Sequence, residues 1–287
     1  MEKQHQSIET EREFPRNILV LATHGSYYIP REIATREGEK IKIREKLRAD
    51  LRGNILRLLG NFSDFRTRRI IPKDIPKSQK VIAGFSRAIG DPNRARDAAD
   101  LFRETDFNGV PIWKEELTSN EKEALLERYY DEYHSRVKAA IEEAETENER
   151  VIIFDLHDTG NLMLKPNPAE DSERKDKFPE ICLGDKDGTA CDPEIMEFFA
   201  AAVEKNLGIK PHINTPYKGG YITTKYGKEY NDGLPLSERF KRNVIQIELG
   251  RYLYMDEKTQ KIDKEKARKI QKGLEEAMRE VGEKYGG

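Results

Sequence analysis

The sequence predicts an α/β protein, a single domain built on one continuous β-sheet with helices packed against it. Three short apolar runs carry that prediction: Asn17–Thr23, Val151–Phe154 and Val244–Leu249. They are dominated by apolar residues, many of them β-branched, as strands buried within a sheet are. Between and after them lie stretches with helical spacing, and that alternation builds one sheet covered by helices. Each run also stops at polar residues capable of chemistry: His24, then Asp155 with His157 and Asp158, then Glu248. Open α/β sheets bind ligands at the carboxyl ends of their strands.

The bulk numbers narrow the class. Of 287 residues, 36% are hydrophobic and 36% charged, so a core is affordable under a heavily charged surface. With 51 basic and 53 acidic residues, the net charge is -2. Nothing in that balance steers the chain toward nucleic acid or anionic membrane. No apolar run approaches the roughly 20 residues of a membrane span. Residues 1–14 read as a polar leader without the apolar core of a secretory signal, ahead of one domain over 15–287. The two cysteines, Cys182 and Cys191, form neither a disulfide scaffold nor a CxxC metal site. A cytoplasmic protein without nucleic-acid or membrane partners is expected, of unknown oligomeric state.

The elements follow in order. Asn17–Thr23 is the first strand, and Gly25 after His24 lets the chain turn sharply. Tyr27–Lys46 is a charged loop. Asp50–Leu59 has helical spacing, with Leu51, Ile55, Leu58 and Leu59 on one face. Asp50 fits either the N-cap of that helix or a carboxylate ligand near His24. Phe65–Ile71 and Lys80–Phe85 read as further strands. Phe85–Arg96 follows as a stiff loop, broken by Gly90 and Pro92 and carrying Arg87, Arg94 and Arg96. Arginines on such a loop suit bidentate gripping of a carboxylate.

Thr118–Glu145 is the clearest helix, opened by a Thr118/Glu121 capping box. His134 lies beside its apolar stripe and is expected to pack structurally. The central run Val151–Phe154 comes next, and Gly160–Glu180 is a polar loop over its end. Ile181–Gly184 is a brief strand, and Asp192-Pro193 starts a helix that Gly208 closes. Ile213–Tyr226 contains Gly219-Gly220 between tyrosines, where a backbone can approach a substrate closely. Val244–Leu249 is the last strand, and an ionised Glu248 buried on it is costly unless paired or coordinated. Lys264–Tyr285 is a closing amphipathic helix.

Gathered together, the strand ends offer His24, His157 and Glu248, with Asp50 and Arg94 nearby. Two histidines and a carboxylate are a recurrent ligand set for catalytic zinc, with a fourth position left for water. Zinc lowers the pKa of that water to about 7. A free carboxylate can carry the water's proton to a leaving amine, and an arginine can hold an anion or the developing oxyanion. The parts of metal-assisted amide hydrolysis are therefore all present.

Five segments carry a resemblance: T-H-G at Thr23–Gly25, S-R-A-I-G-D-P-N-R at Ser86–Arg94, D-L-H at Asp155–His157, N-T-P-Y-K-G-G-Y at Asn214–Tyr221 and Q-I-E-L-G-R-Y-L-Y-M-D at Gln246–Asp256. In that order, over about residues 17 to 256, the chain resembles the N-formylglutamate amidohydrolase family. That family is similar in fold to the zinc carboxypeptidases, which implies a mixed central β-sheet flanked by helices (phosphorylase/hydrolase-like). The resemblance implies one Zn2+ per chain, His24 and His157 as its ligands, and Glu248 as general base. It implies Asn93 and Arg94 as the clamp on a substrate carboxylate and Arg87 as oxyanion stabiliser. Tyr217, Gly219, Gly220 and Arg251, within the last two segments, complete the expected substrate-binding set.

Departures accompany the likeness. Carboxypeptidases place a Glu three residues after the first His, where this chain has Tyr27. Asp50 is therefore taken as the third metal ligand, with Glu32 as the alternative. Asp158 follows the second His where Ser is common, and it is expected to disfavour an acidic substrate. The reading is a zinc-dependent amidohydrolase of a small N-acyl amino acid such as N-formylglutamate. Its rivals are a carboxypeptidase or peptide amidase, and a non-catalytic binding protein on the same fold.

Overall fold

A computed structural model of the chain describes residues 13–35, 38–47, 62–64, 66–165, 167–235 and 238–286. Among the described residues the main sheet has six strands: β1 (Ile18–Ala22), β2 (Lys80–Ile82), β3 (Val151–Thr159), β4 (Ile181–Gly184), β5 (His212–Ile213) and β6 (Arg242–Gly250). Their spatial order is β2-β1-β3-β6-β4-β5. All neighbours run parallel except β6 and β4, which are antiparallel, so the sheet is mixed.

Among the described residues the α-helices are α1 (Ser119–Leu125), α2 (Glu132–Glu147), α3 (Pro193–Leu207), α4 (Tyr221–Thr223), α5 (Glu229–Asp232) and α6 (Lys264–Tyr285). A π-helical stretch, Leu126–Asp131, joins α1 to α2, and another, Thr224–Lys228, joins α4 to α5. The end signals read from sequence are in place. Thr118 and Glu121 form a capping box, and Gly208 terminates α3 in the left-handed region at φ 71°. Among the described residues no helix is long and apolar enough to cross a membrane.

Two layers of core cover the two sheet faces, and alternation of side chains along each strand sorts residues between them. Ile152, Phe154 and Leu156 of β3, with Ile245, Ile247 and Leu249 of β6, pack against Phe199 of α3 and Leu274 of α6. Val151 and Ile153, with Leu19, Leu21 and Val244, pack on the opposite face against Tyr133, Val137 and Ile141 of α2. That second face matters most, because period-2 alternation carries it on to Thr23, Asp155, His157, Thr159, Gln246 and Glu248. One sheet face is thus hydrophobic for half its length and chemical for the rest.

Three expectations change. The central strand runs on to Thr159, because polar partners on one side satisfy Asp155 and His157 within it. In place of a strand at 65–71 the chain makes a 3-10 turn, Thr67–Arg69. There the Thr67 N–H and hydroxyl both donate to the Asp64 carbonyl, at 2.9 and 2.7 Å. Phe14, placed in the polar leader, is a buried core residue. The helix expected at Asp50–Leu59 lies outside the described residues.

Candidate metal and substrate site

His24 and His157 stand just past β1 and within β3, and both side chains are buried. Their Nδ1 atoms face the same oxygen of Asp64: His157 at 2.8 Å and His24 at 3.3 Å from Oδ2. The three residues can present two nitrogens and one oxygen that all lie within 4.8 Å of one another. The far nitrogens are also anchored. His24 Nε2 lies 2.6 Å from Asp91 Oδ1, and His157 Nε2 lies 2.7 Å from Asp155 Oδ2. A carboxylate behind each ring fixes its orientation, as behind metal-ligating histidines generally.

The electrostatics match a cation site. Burial disfavours charge on His157, but Asp155 and Asp64 outweigh it and hold the pKa well above the ordinary histidine value. Both of its ring nitrogens face carboxylate oxygens, and only an imidazolium can donate to both. Burial likewise opposes the Asp64 carboxylate, yet hydrogen bonds from His157 and His24 hold it well below the usual range. Positive charge is therefore demanded at this point by the surroundings. The two histidines and one carboxylate are a donor set that could hold a divalent metal ion, and zinc accepts such a set.

Glu248 pairs with His157 in the β3–β6 register. Thr159 Oγ1 donates to its Oε2 at 2.8 Å and Gln246 Nε2 to its Oε1 at 3.0 Å. Burial, only partly offset by the nearby His157, pushes its carboxyl up to about 7. A carboxyl group titrating there is matched to taking and returning protons at neutral pH.

A cleft of about 310 Å³ opens over these groups. Every site residue expected from the sequence lines it except Asp50, which lies outside the described residues. Arg87 donates through Nε and Nη2 to Asp91 Oδ2, and its guanidinium lies over the rings of Phe62 and Phe107, 5.2 and 4.9 Å from their centroids. Arg94 is tied through Nε to Asp100 at 2.7 Å and through Nη1 to the Asn93 carbonyl at 2.9 Å. Asn93 Oδ1 accepts from the Ile222 N–H at 3.0 Å, joining the clamp loop to the start of α4.

The two glycines of the 214–221 segment are both required. Gly219 adopts φ +104° against Thr223, and a Cβ on Gly220 would lie 2.2 Å from Asn93 Nδ2. Arg251 donates to Asp158, with a 3.6 Å approach to Asp64.

One expectation is corrected. Glu32 is not a ligand: it is exposed and lies 3.7 Å from Lys40 in a surface ion pair. Asp158 also lines the cleft. It is on the opposite face of β3 from His157, accepts from Arg251 and Tyr254, and has its pKa raised to about 6 by burial against that arginine's pull.

Asp64 was missed. The one signal for it is local: a Ser-Asp pair enclosed by Phe62 and Phe65, polar groups that an apolar flank carries inside. Asp91 was read only as part of the loop, although it bridges His24, Arg87 and the Asn93 N–H, the last at 2.9 Å. His134 keeps the packing role expected of it, with Nδ1 2.8 Å from the Tyr226 hydroxyl beside Tyr130 and Tyr133.

Known proteins resemble this chain in sequence and in fold. A sequence model described as N-formylglutamate amidohydrolase matches residues 16–255. An N-formylglutamate deformylase of Pseudomonas putida is 26% identical over 187 residues, which cover 62% of this chain and 64% of that protein's length. The crystal structure of an N-formylglutamate amidohydrolase from Ralstonia eutropha JMP134 superposes with a TM-score of 0.71 at 22% identity, over 96% of this chain and 95% of that one. A gene product of Agrobacterium tumefaciens superposes with a TM-score of 0.59 at 19% identity, over 92% and 90% of the two chains. At those identities the two structures speak to the fold.

Proposed function

The chain belongs to the N-formylglutamate amidohydrolase family, and we propose that it hydrolyses the amide bond of a small N-acyl amino acid, N-formylglutamate being the type substrate. One observation carries the reading. The His24–Asp64–His157 donor set and the Glu248 carboxyl share a cleft whose other wall presents Asn93 and Arg94.

We assign a single zinc ion to His24, Asp64 and His157. When bound, zinc would polarise the acyl carbonyl and make a water acidic enough to lose its proton near neutral pH. The residues of the chain divide the remaining work. Arg94, braced by Asp100, grips the substrate's α-carboxylate, and Asn93 holds the adjoining backbone. Glu248 takes a proton from the attacking water and passes it to the leaving nitrogen. The carbon–oxygen bond forms first, and the carbon–nitrogen bond breaks once that proton reaches the nitrogen, releasing formate and the free amino acid. Arg87 stabilises charge on the acyl oxygen, because Asp91 and two aromatic rings fix it before the reaction begins. The close-packed Gly219-Gly220 backbone, with Tyr217, shapes the wall against which the amino acid lies. We place this activity in the cytoplasm.

The size of the cleft suits a small N-acyl amino acid better than a peptide. Activity against a panel of formylated amino acids and short peptides tests the substrate class. Turnover of peptides alone would overturn it in favour of a carboxypeptidase or amidase. Tight binding without product in a single turnover, with zinc supplied, would leave a binding protein.

A further inference from the structure

We propose that Gln246 determines specificity by accepting a hydrogen bond from the substrate's amide N–H. The class of ligand rests on the hydrolase reading above; the geometry does not. Gln246 sits on the chemical face of β6, is 4% exposed, and lines the cleft beside Glu248. Both Glu248 oxygens accept hydrogen bonds, one from Thr159 and one from Gln246 Nε2. The Gln246 amide is thereby oriented with nitrogen toward Glu248 and oxygen turned away. That oxygen, Oε1, is buried without a hydrogen-bond partner in the protein.

A buried acceptor is costly to leave unmade. The arginines nearest the metal side are already committed, Arg87 to Asp91 and Arg251 to Asp158. An N-acyl amino dicarboxylate offers only acceptors in its carboxylates and acyl oxygen. Its single donor is the N–H of the bond to be cut. Glu248, the group that must hand that nitrogen a proton, is hydrogen-bonded to the same Gln246 amide through Nε2. Gln246 is thus a specificity residue: it selects secondary amides over tertiary amides and esters of the same shape. A site built to accept from a ligand N–H rejects the analogue lacking it far more strongly than it rejects a missing methylene.

The test measures binding rather than turnover. Two non-hydrolysable ligands, N-methanesulfonylglutamate and its counterpart with CH2 in place of N–H, are titrated by calorimetry into the protein supplied with Zn2+. Wild type is expected to bind the N–H ligand at least ~10-fold more tightly. In Gln246→Leu and Gln246→Met that ratio is expected to fall to about 3-fold or less. Equal affinities in the wild type, no binding of either ligand, or an unchanged ratio in both variants would overturn the proposal. Should either variant fail to fold, the wild-type ratio still decides. A Gln246-dependent ratio in a protein that does not cleave N-formylglutamate would uphold this inference while removing the hydrolase reading.

Discussion

Two buried histidines in this molecule have opposite fates. His157 lies in β3 among carboxylates, and His134 lies in α2 among tyrosines. Burial opposes charge on both. Around His157, Asp155 and Asp64 reverse its effect and hold the ring's pKa well above the ordinary value. Around His134 no carboxylate is close enough to do so, and burial, helped by Lys225, lowers the pKa to about 4. The lesson is that burial alone makes a histidine inert, whereas burial with paired acids makes it a place for a cation. Both positions hold a buried histidine, so the charged surroundings decide.

The sharpest way to probe the chemical region is Glu248→Gln. The side chain keeps its shape and loses its proton traffic, so kcat should fall by ~100- to 10,000-fold with bound metal unchanged. Near-normal turnover would remove Glu248 from its assigned role. Next in size, Arg94→Gln should lower kcat/KM by roughly 10- to 100-fold, mainly through KM, because a charge-assisted pair to the substrate carboxylate is lost. Full retention would move the clamp elsewhere.

The same range is expected for metal affinity in Asp155→Asn, about 10- to 100-fold weaker zinc binding by competition with a chromophoric chelator. His157→Ala should abolish stoichiometric zinc, whereas His134→Phe should leave it intact. Equal metal content in those two variants would erase the contrast between the regions.

The smallest effect falls on stability. The folded-state pKa of His134, about 4, lies below its unfolded value near 6.5, so the unfolded chain takes up the proton first on acidification. The stability held by neutral His134 is complete above about pH 6.5 and lost as pH falls toward 4, by about 3 kcal/mol in all. Denaturant midpoints of wild type and His134→Phe across that window should converge by this amount at the acid end; parallel curves would show that His134 does not titrate in the core.

How much of this was legible follows the same division. His24, His157 and Glu248 could be read because strands announce themselves through apolar runs, and a polar residue interrupting such a run has few reasons to be there. Their shared face was implicit in period-2 spacing, once β3 was allowed to run through Asp155 and His157. Asp64 and Asp91 were not legible as site residues. Each sits in a turn, where Asp is ordinary as a backbone-capping residue, and only the folded chain reveals which carboxylates turn inward. The strand expected at 65–71 failed similarly: the Asp64 carbonyl collects two Thr67 hydrogen bonds, a local preference stronger than the apolar hint of Ile70 and Ile71.

The pairing of His157 with Glu248 across two parallel strands has a consequence for how such a protein can be altered. Side chains in a strand occupy one of two faces with nothing between. Insert or delete one residue in β6 ahead of Gln246, and Ile245 or Ile247 comes to face the cleft while Glu248 turns into the hydrophobic layer. The strand-borne half of the centre therefore behaves as a combination lock, open at one register and shut at its neighbours. Length changes can be absorbed only where the chain leaves the sheet, which makes the segments around 86–96 and 160–180 the natural dials for adjusting what the cleft admits.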